Sequence, residues 1–172
     1  SLAGKVVDVS GHYVTPGIID IHVHVYHTRE PEGLSVMADA HSFRSGVTTM
    51  VDTGTAGGWN FLHFKRMVID VMKTRVFAFI NIVNQGMIGP YEQDIANFDA
   101  ELCAGTILAY PDICVGVKTA HYWTQLPFDA AHPPWAAVDG GVAASKLSGK
   151  PLMVDFWPRP PERSYEELIL KR

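Results

Sequence analysis

The sequence predicts an α/β fold, a partial (β/α)8 TIM-type barrel with about five βα units, and three observations carry that expectation. Short runs rich in β-branched residues alternate with longer stretches of helical periodicity, the signature of βαβ units. The short runs are apolar nearly throughout, as expected of parallel strands covered on both faces. Segments following the strands are long and rich in Gly, Pro and aromatics, whereas the returns into the next strand are short. Barrels show that asymmetry because their sites are built from loops at the strand C-termini, and a doubly wound open sheet shares it.

Taken in order, residues 1–13, with Lys5-Val-Val-Asp8 and Gly11-His-Tyr13, read as the end of a small β element leading into the barrel. Residues 14–172 then hold the first five βα units. Strands are expected at 18–24, 48–52, 76–81, 114–119 and 151–156. Helical spacing relates Phe61, Phe64, Val68, Val71 and Met72, then Ile95, Phe98 and Leu102, then Trp135, Val138 and Val142. Gly46 and Gly149 stand where helices want a left-handed cap. The long loops are 26–33, 53–60, 84–94, 121–134 and 157–164; the short returns are 46–47, 74–75 and 149–150. Ser1 at the start, and the opening of a helix at 165–172, give the expectation that the chain is a piece of a longer protein. A closed barrel needs further strands, so a complementing barrel segment or homo-oligomer is expected to cover the open edge.

Composition narrows the function. A formal charge of −4 offers no basic stripe for phosphates, which excludes a nucleic-acid partner. No apolar run reaches the roughly 18 residues of a membrane span. The N-terminus lacks a secretory pattern, and Cys103 and Cys114 lack the spacing of a thiolate zinc site. Two buried thiols in a reducing, cytoplasmic setting are the expectation.

The chemistry starts at Pro16-Gly-Ile-Ile-Asp-Ile-His-Val-His24. His22 and His24 are two apart on a strand, so both side chains leave one face. Two neutral imidazoles at a strand end suit zinc, iron or manganese. Asp20 precedes them on the same face, as a candidate acceptor behind the ligands. Lys118, in Val115-Gly-Val-Lys-Thr119, ends another strand among apolar residues. A lysine there is costly unless it is paired, modified or reaches water, and a pairing with Asp52 is open to it. His121 is a candidate contact to substrate or to water on the metal. Asp52 and Asn81 are weaker candidates for polar lining, and His27, His41, His63 and His132 read as structural or surface residues.

The run from Pro16 to His24 resembles the signature of the amidohydrolase superfamily, which includes dihydroorotases, hydantoinases and N-acyl-amino-acid deacetylases. Gly11-His-Tyr-Val-Thr15 is similar to the family's passage from a small β-sandwich into its barrel, and Gly46-Val-Thr-Thr-Met-Val-Asp-Thr-Gly54 to its second strand. The resemblance implies Zn2+, one or two ions, bound by His22 and His24, with Lys118 carboxylated to a bridging carbamate. It also implies a histidine at the end of the fifth strand, where this chain has Asp155. Asp155 either replaces that imidazole or leaves the second ion weakly held. The family's sixth-strand histidine and eighth-strand aspartate have no counterpart. Expected catalytic residues are therefore Lys118, Asp155 and His121, and expected metal ligands His22, His24, Lys118 and Asp155. The implied reaction is metal-dependent hydrolysis of C–N bonds in an amide or cyclic amide, with a small-molecule amide as substrate. The alternatives are a mononuclear deaminase of the same superfamily, or a non-catalytic truncated barrel with a structural or binding role. Tyr122-Trp123 and Trp157-Pro-Arg-Pro suggest an apolar-walled pocket, with Arg159 as a carboxylate partner or simply a surface arginine.

Overall fold

A computed structural model describes residues 4–27, 35–122, 128–155 and 163–170. Residues 4–17 carry a turn but no helix or strand. The sheet then runs β1 (Ile18–Val23), β2 (Val47–Gly57), β3 (Arg75–Asn81), β4 (Cys114–Lys118) and β5 (Leu152–Met153). All four neighbouring pairs are parallel and the spatial order is the sequence order, which is the partial TIM-type barrel expected. Between the strands lie α1 (Ala38–Ser45), α2 (Phe61–Phe64), α3 (Ala100–Ala109) and α4 (Ala136–Ser148), with α5 (Tyr165–Leu170) after β5.

Local chemistry explains the helix ends. α1 and α4 stop at Gly46 and Gly149, whose φ values of 75° and 67° are the left-handed conformation that glycine adopts at least cost. Asp99 caps α3 by accepting the Leu102 N–H at 2.8 Å. The core lies between sheet and helices, where Phe61, Phe64, Val68, Ile107, Ala137 and Ala144 pack over Ala78, Ile80, Cys114 and Val117. Each large apolar side chain buried this way contributes about 1.5–3 kcal/mol.

Several expectations shift. β2 runs to Gly57, so the loop expected from residue 53 is mostly strand. It stays ordered because its register against β3 jumps between Thr53/Phe79 and Gly57/Asn81, a bulge that accommodates the extra residues. β1 ends at Val23, before His24, and β5 keeps only Leu152–Met153 of the expected 151–156. Ile95 and Phe98 precede α3, in and beside a short 3-10 turn (Ile95–Asn97). The run from Phe61 leaves α-geometry at Lys65 for a π-helical turn (Lys65–Ile69). Coverage on both faces fails for β1, where Ile18, Ile19 and Ile21 are 56%, 60% and 66% exposed. β1 is the sheet edge and has a neighbour on one side only.

Candidate metal centre

Strand register brings the chemistry to one rim. Val23 pairs with Asp52, Asn81 with Lys118, and Lys118 with Met153, so His22, His24, Lys118 and Asp155 all arrive at the C-terminal edge. The His22 and His24 rings meet edge to face, their centroids 5.9 Å apart.

His24 is fixed by a relay. Its Nδ1 lies 2.7 Å from Thr55 Oγ1, and the Thr55 hydroxyl donates to Asp52 Oδ2 at 2.9 Å. A hydroxyl has one proton, and the carboxylate takes it. Thr55 therefore accepts from Nδ1–H, which leaves Nε2 as the lone-pair nitrogen of His24. Burial, followed by the charges of Lys118, His22 and His121, pulls the His24 pKa down to about 4, so the ring is neutral near pH 7. Asp52 is fully buried and also accepts the N–H groups of Val25 at 2.8 Å and Thr55 at 2.9 Å. Burial still outweighs these donors and raises its pKa to about 6.

Lys118 is 0% exposed, so its amine does not reach solvent. Nζ lies 3.4 Å from the Thr119 carbonyl oxygen and 3.4 Å from His121 Nε2. Among the described residues no carboxylate stands within 4.0 Å of it, and the pairing with Asp52 is not made. Burial lowers its pKa, against the opposing charges of Asp155, Glu92 and Asp52. Gly54, at φ 81°, makes room for this side chain: a Cβ there would stand 2.7 Å from Lys118 Cγ.

Around the amine, His121 Nε2 lies 3.1 Å from Asp155 Oδ2, and His22 Nε2 lies 4.0 Å from that same oxygen. His121 is held from behind by Glu92, which accepts its backbone N–H at 3.0 Å and faces its Nδ1 at 3.2 Å. Burial disfavours the charged His121 ring, but the bond to Glu92 and then that to Asp155 carry its pKa above the ordinary value. Among the described residues no three His, Cys, Asp or Glu side chains are grouped as tightly as a bound ion requires. What the rim offers is imidazole nitrogens and a carboxylate around a fully buried lysine, donor types that a divalent ion takes.

Asp20 does not back an imidazole; it accepts the backbone N–H of His22 at 3.0 Å. Asn81 lies beneath the rim, donating to the Gly54 carbonyl and accepting the Val83 N–H. Of the histidines read as structural, His63 bonds the Tyr26 hydroxyl at 2.6 Å, and His132 pairs with Asp129 at the surface. Trp123, Trp157 and Arg159 lie outside the described residues. Sequence reasoning missed Thr55, Glu92 and Arg163. Arg163 is 4% exposed, stacked over the Tyr122 and Phe128 rings, and donates to the Pro134 carbonyl.

No family model matches the chain. A deacetylase of Brucella anthropi is 33% identical over 116 residues, covering 65% of this chain and 28% of that protein. Among solved structures, a dihydroorotase aligns with a TM-score of 0.76 at 24% identity, over 99% of this chain and 45% of the other. An adenine deaminase aligns with a TM-score of 0.68 at 26% identity, over 83% and 37%. The chain thus spans less than half the length of the proteins it matches. Among the described residues no helix is long and apolar enough to cross a membrane.

Proposed function

We propose that this chain, which resembles the N-terminal part of an amidohydrolase-superfamily barrel in sequence and fold, supplies metal ligands and a carboxylated lysine to a hydrolase of C–N bonds in amides or cyclic amides. The observation that carries the reading is Lys118, a buried amine with no carboxylate within 4.0 Å among the described residues, at a strand end beside His121. A divalent ion, zinc above all, would supply there the charge that polarises an amide carbonyl and acidifies water.

The chain's own residues prepare that chemistry. His24 is neutral and turned by Thr55 so that Nε2 is its ligating atom; His22 joins it from the same strand face. Burial favours the neutral form of Lys118. Its Nζ lone pair forms a bond to the carbon of carbon dioxide as one C=O π bond breaks, one amine proton passes to a neighbouring base such as His121 Nε2, 3.4 Å away, and an anionic carbamate results. That anion is costly in an apolar setting and is stable only beside cations, so carboxylation and metal loading are coupled. Asp155 contributes a carboxylate, its Oδ2 3.1 Å from His121 Nε2. A small-molecule amide is the proposed substrate and the cytoplasm the proposed setting.

The likeness to an adenine deaminase structure favours a second reading, a mononuclear deaminase that makes no use of a lysine carbamate. Lys118→Ala separates the two. Loss of amide hydrolysis with recovery in the presence of short carboxylic acids supports the carbamate reading. Full activity of Lys118→Ala without added acid refutes it and leaves the deaminase.

A further inference from the structure

We propose that Arg163 is the centre of a carboxylate-binding site at the joint between the segments that follow β4 and β5, where its Nε and Nη2 edge grips a small-molecule carboxylate. None of the residues involved is a ligand in the metal-hydrolase reading, so the two stand or fall separately.

The guanidinium is buried and oriented, yet it is not neutralised. Arg163 is 4% exposed, with Cζ 5.1 Å from the centroid of the Phe128 ring and 5.9 Å from that of Tyr122. The Tyr122 ring is itself fixed, meeting Phe98 edge to face at 5.7 Å. Nη1 donates to the carbonyl of Pro134, just before α4. Ring contacts and one carbonyl hold the cation in place without supplying a counter-charge. Nε and Nη2 are closed to solvent and have no hydrogen-bond partner among the described residues. Among those residues no carboxylate stands within 4.0 Å of the group either. Glu167, four residues on, is engaged with the Ser164 N–H at 2.9 Å.

A guanidinium keeps its charge, and burying one without an anion is costly. The unfilled atoms also share a geometry. In arginine the N–H bonds of Nε and Nη2 run parallel along one edge, at the spacing of two carboxylate oxygens. Tyr122 adds a second such group from the segment after β4. It is 3% exposed, and its hydroxyl also lacks a partner among the described residues, although buried phenols normally find one. One ring-stacked cluster therefore holds two buried donor groups from different segments, both unfilled.

The donors select the ligand. Two parallel N–H groups match a planar, singly charged oxyanion, and a phosphate brings more charge and more oxygens than they satisfy. Tyr122 and Phe128 supply apolar wall, which suits a carboxylate carried on an aromatic or hydrocarbon body. Because the edge is closed to solvent, entry requires the surrounding side chains to part, and the pair once formed is screened little by salt.

The test follows the Arg163 Nε–H resonance of the purified protein by NMR, identified by its NOEs to the Tyr122 and Phe128 rings. Sodium benzoate added at constant ionic strength should shift that resonance and slow its exchange with water; benzamide and sodium chloride should not. Arg163→Lys keeps the charge but loses the two-pronged edge, and should weaken benzoate binding about tenfold or more. Tyr122→Phe keeps the ring and should weaken it about 2–10-fold, the loss of one hydrogen bond. No shift with benzoate, or an equal shift with chloride, overturns the proposal. So does a resonance that follows protein concentration alone, which assigns the edge to a side chain of a second copy. Lys118 is another buried cation, so Lys118→Ala is the control. Benzoate binding that vanishes in Lys118→Ala and persists in Arg163→Lys moves the anion to the lysine and overturns the assignment. Should Arg163→Lys lose its fold, the wild-type resonance decides together with Tyr122→Phe.

Discussion

Thr55→Val isolates the relay behind His24. Valine keeps the shape of threonine and removes the hydroxyl that accepts from His24 Nδ1 at 2.7 Å and donates to Asp52 Oδ2 at 2.9 Å. A hydrogen bond to a charged acceptor contributes roughly 1.5–3 kcal/mol, and a neutral one roughly 1 kcal/mol. Asp52 keeps the N–H donors of Val25 and of residue 55 itself, at 2.8 and 2.9 Å, which holds its loss to the lower end of that range. The sum is a destabilisation of about 2–3 kcal/mol. Burial already lifts the Asp52 pKa to about 6, and with one donor fewer it rises further. At the metal centre the consequence is a free choice of tautomer for His24, and zinc affinity should fall about 10–100-fold. Urea denaturation at pH 8 measures the first effect and zinc competition the second. Stability within about 0.5 kcal/mol of wild type, together with unchanged zinc affinity, would refute the relay.

Gly54→Ala tests the space kept for the lysine. Its Cβ would enter at φ 81° and stand 2.7 and 2.8 Å from Lys118 Cγ and Cβ, so a loss of about 2–4 kcal/mol in urea is expected, with metal content falling too; wild-type stability would show that the lysine is free to move aside. Asp39 ties α1 to the turn before β3 by accepting the N–H groups of Lys73 and Thr74, at 3.0 and 2.8 Å, and the Thr74 hydroxyl at 2.8 Å. Burial pushes its pKa up, but these bonds outweigh it and the net shift is downward. The carboxylate therefore stabilises the fold above its ordinary pKa of 3.8, and that stability is lost as pH falls through its lower folded value. Asp39→Ala should cost about 1 kcal/mol at pH 7, a figure already reduced for partial exposure, and progressively less as pH falls below the ordinary value of 3.8; a cost that does not change across that range would refute the linkage.

The elements with strong periodicity were legible, and those set by long-range contact were not. β3 and β4 lie within a residue or so of their apolar runs because helices that the same pattern announces pack over them. β2 overran its expected end at Asp52, since Gly54 and Thr55 look like loop residues until they are seen beside Lys118 and His24. The helix before β3 is recognised by its aromatic spacing, which does not distinguish its π-turn from α-geometry.

In the site, the same division has a simple physical cause. His22 and His24 are two residues apart on one strand, so the period of the strand alone puts them on one face, and any reader of the sequence can see it. Glu92 and His121 are 29 residues apart, and Thr55 and His24 are 31 apart. No local periodicity relates them, and neither Glu92 in Gly89-Pro-Tyr-Glu nor Thr55 in a Gly-Thr-Ala run differs in composition from an ordinary loop or strand residue. Parallel strands make such pairs by construction, because each crossover returns the chain to the same rim and sets successive loops side by side. Ligand atoms are therefore read most easily where one strand carries them, while the residues that orient them come from the neighbouring strand or loop and become visible only with the register. Lys118 falls between the two cases. Its type and apolar flanks flagged it as costly, but only the register with Asn81 and Met153 shows that its side chain is fully buried.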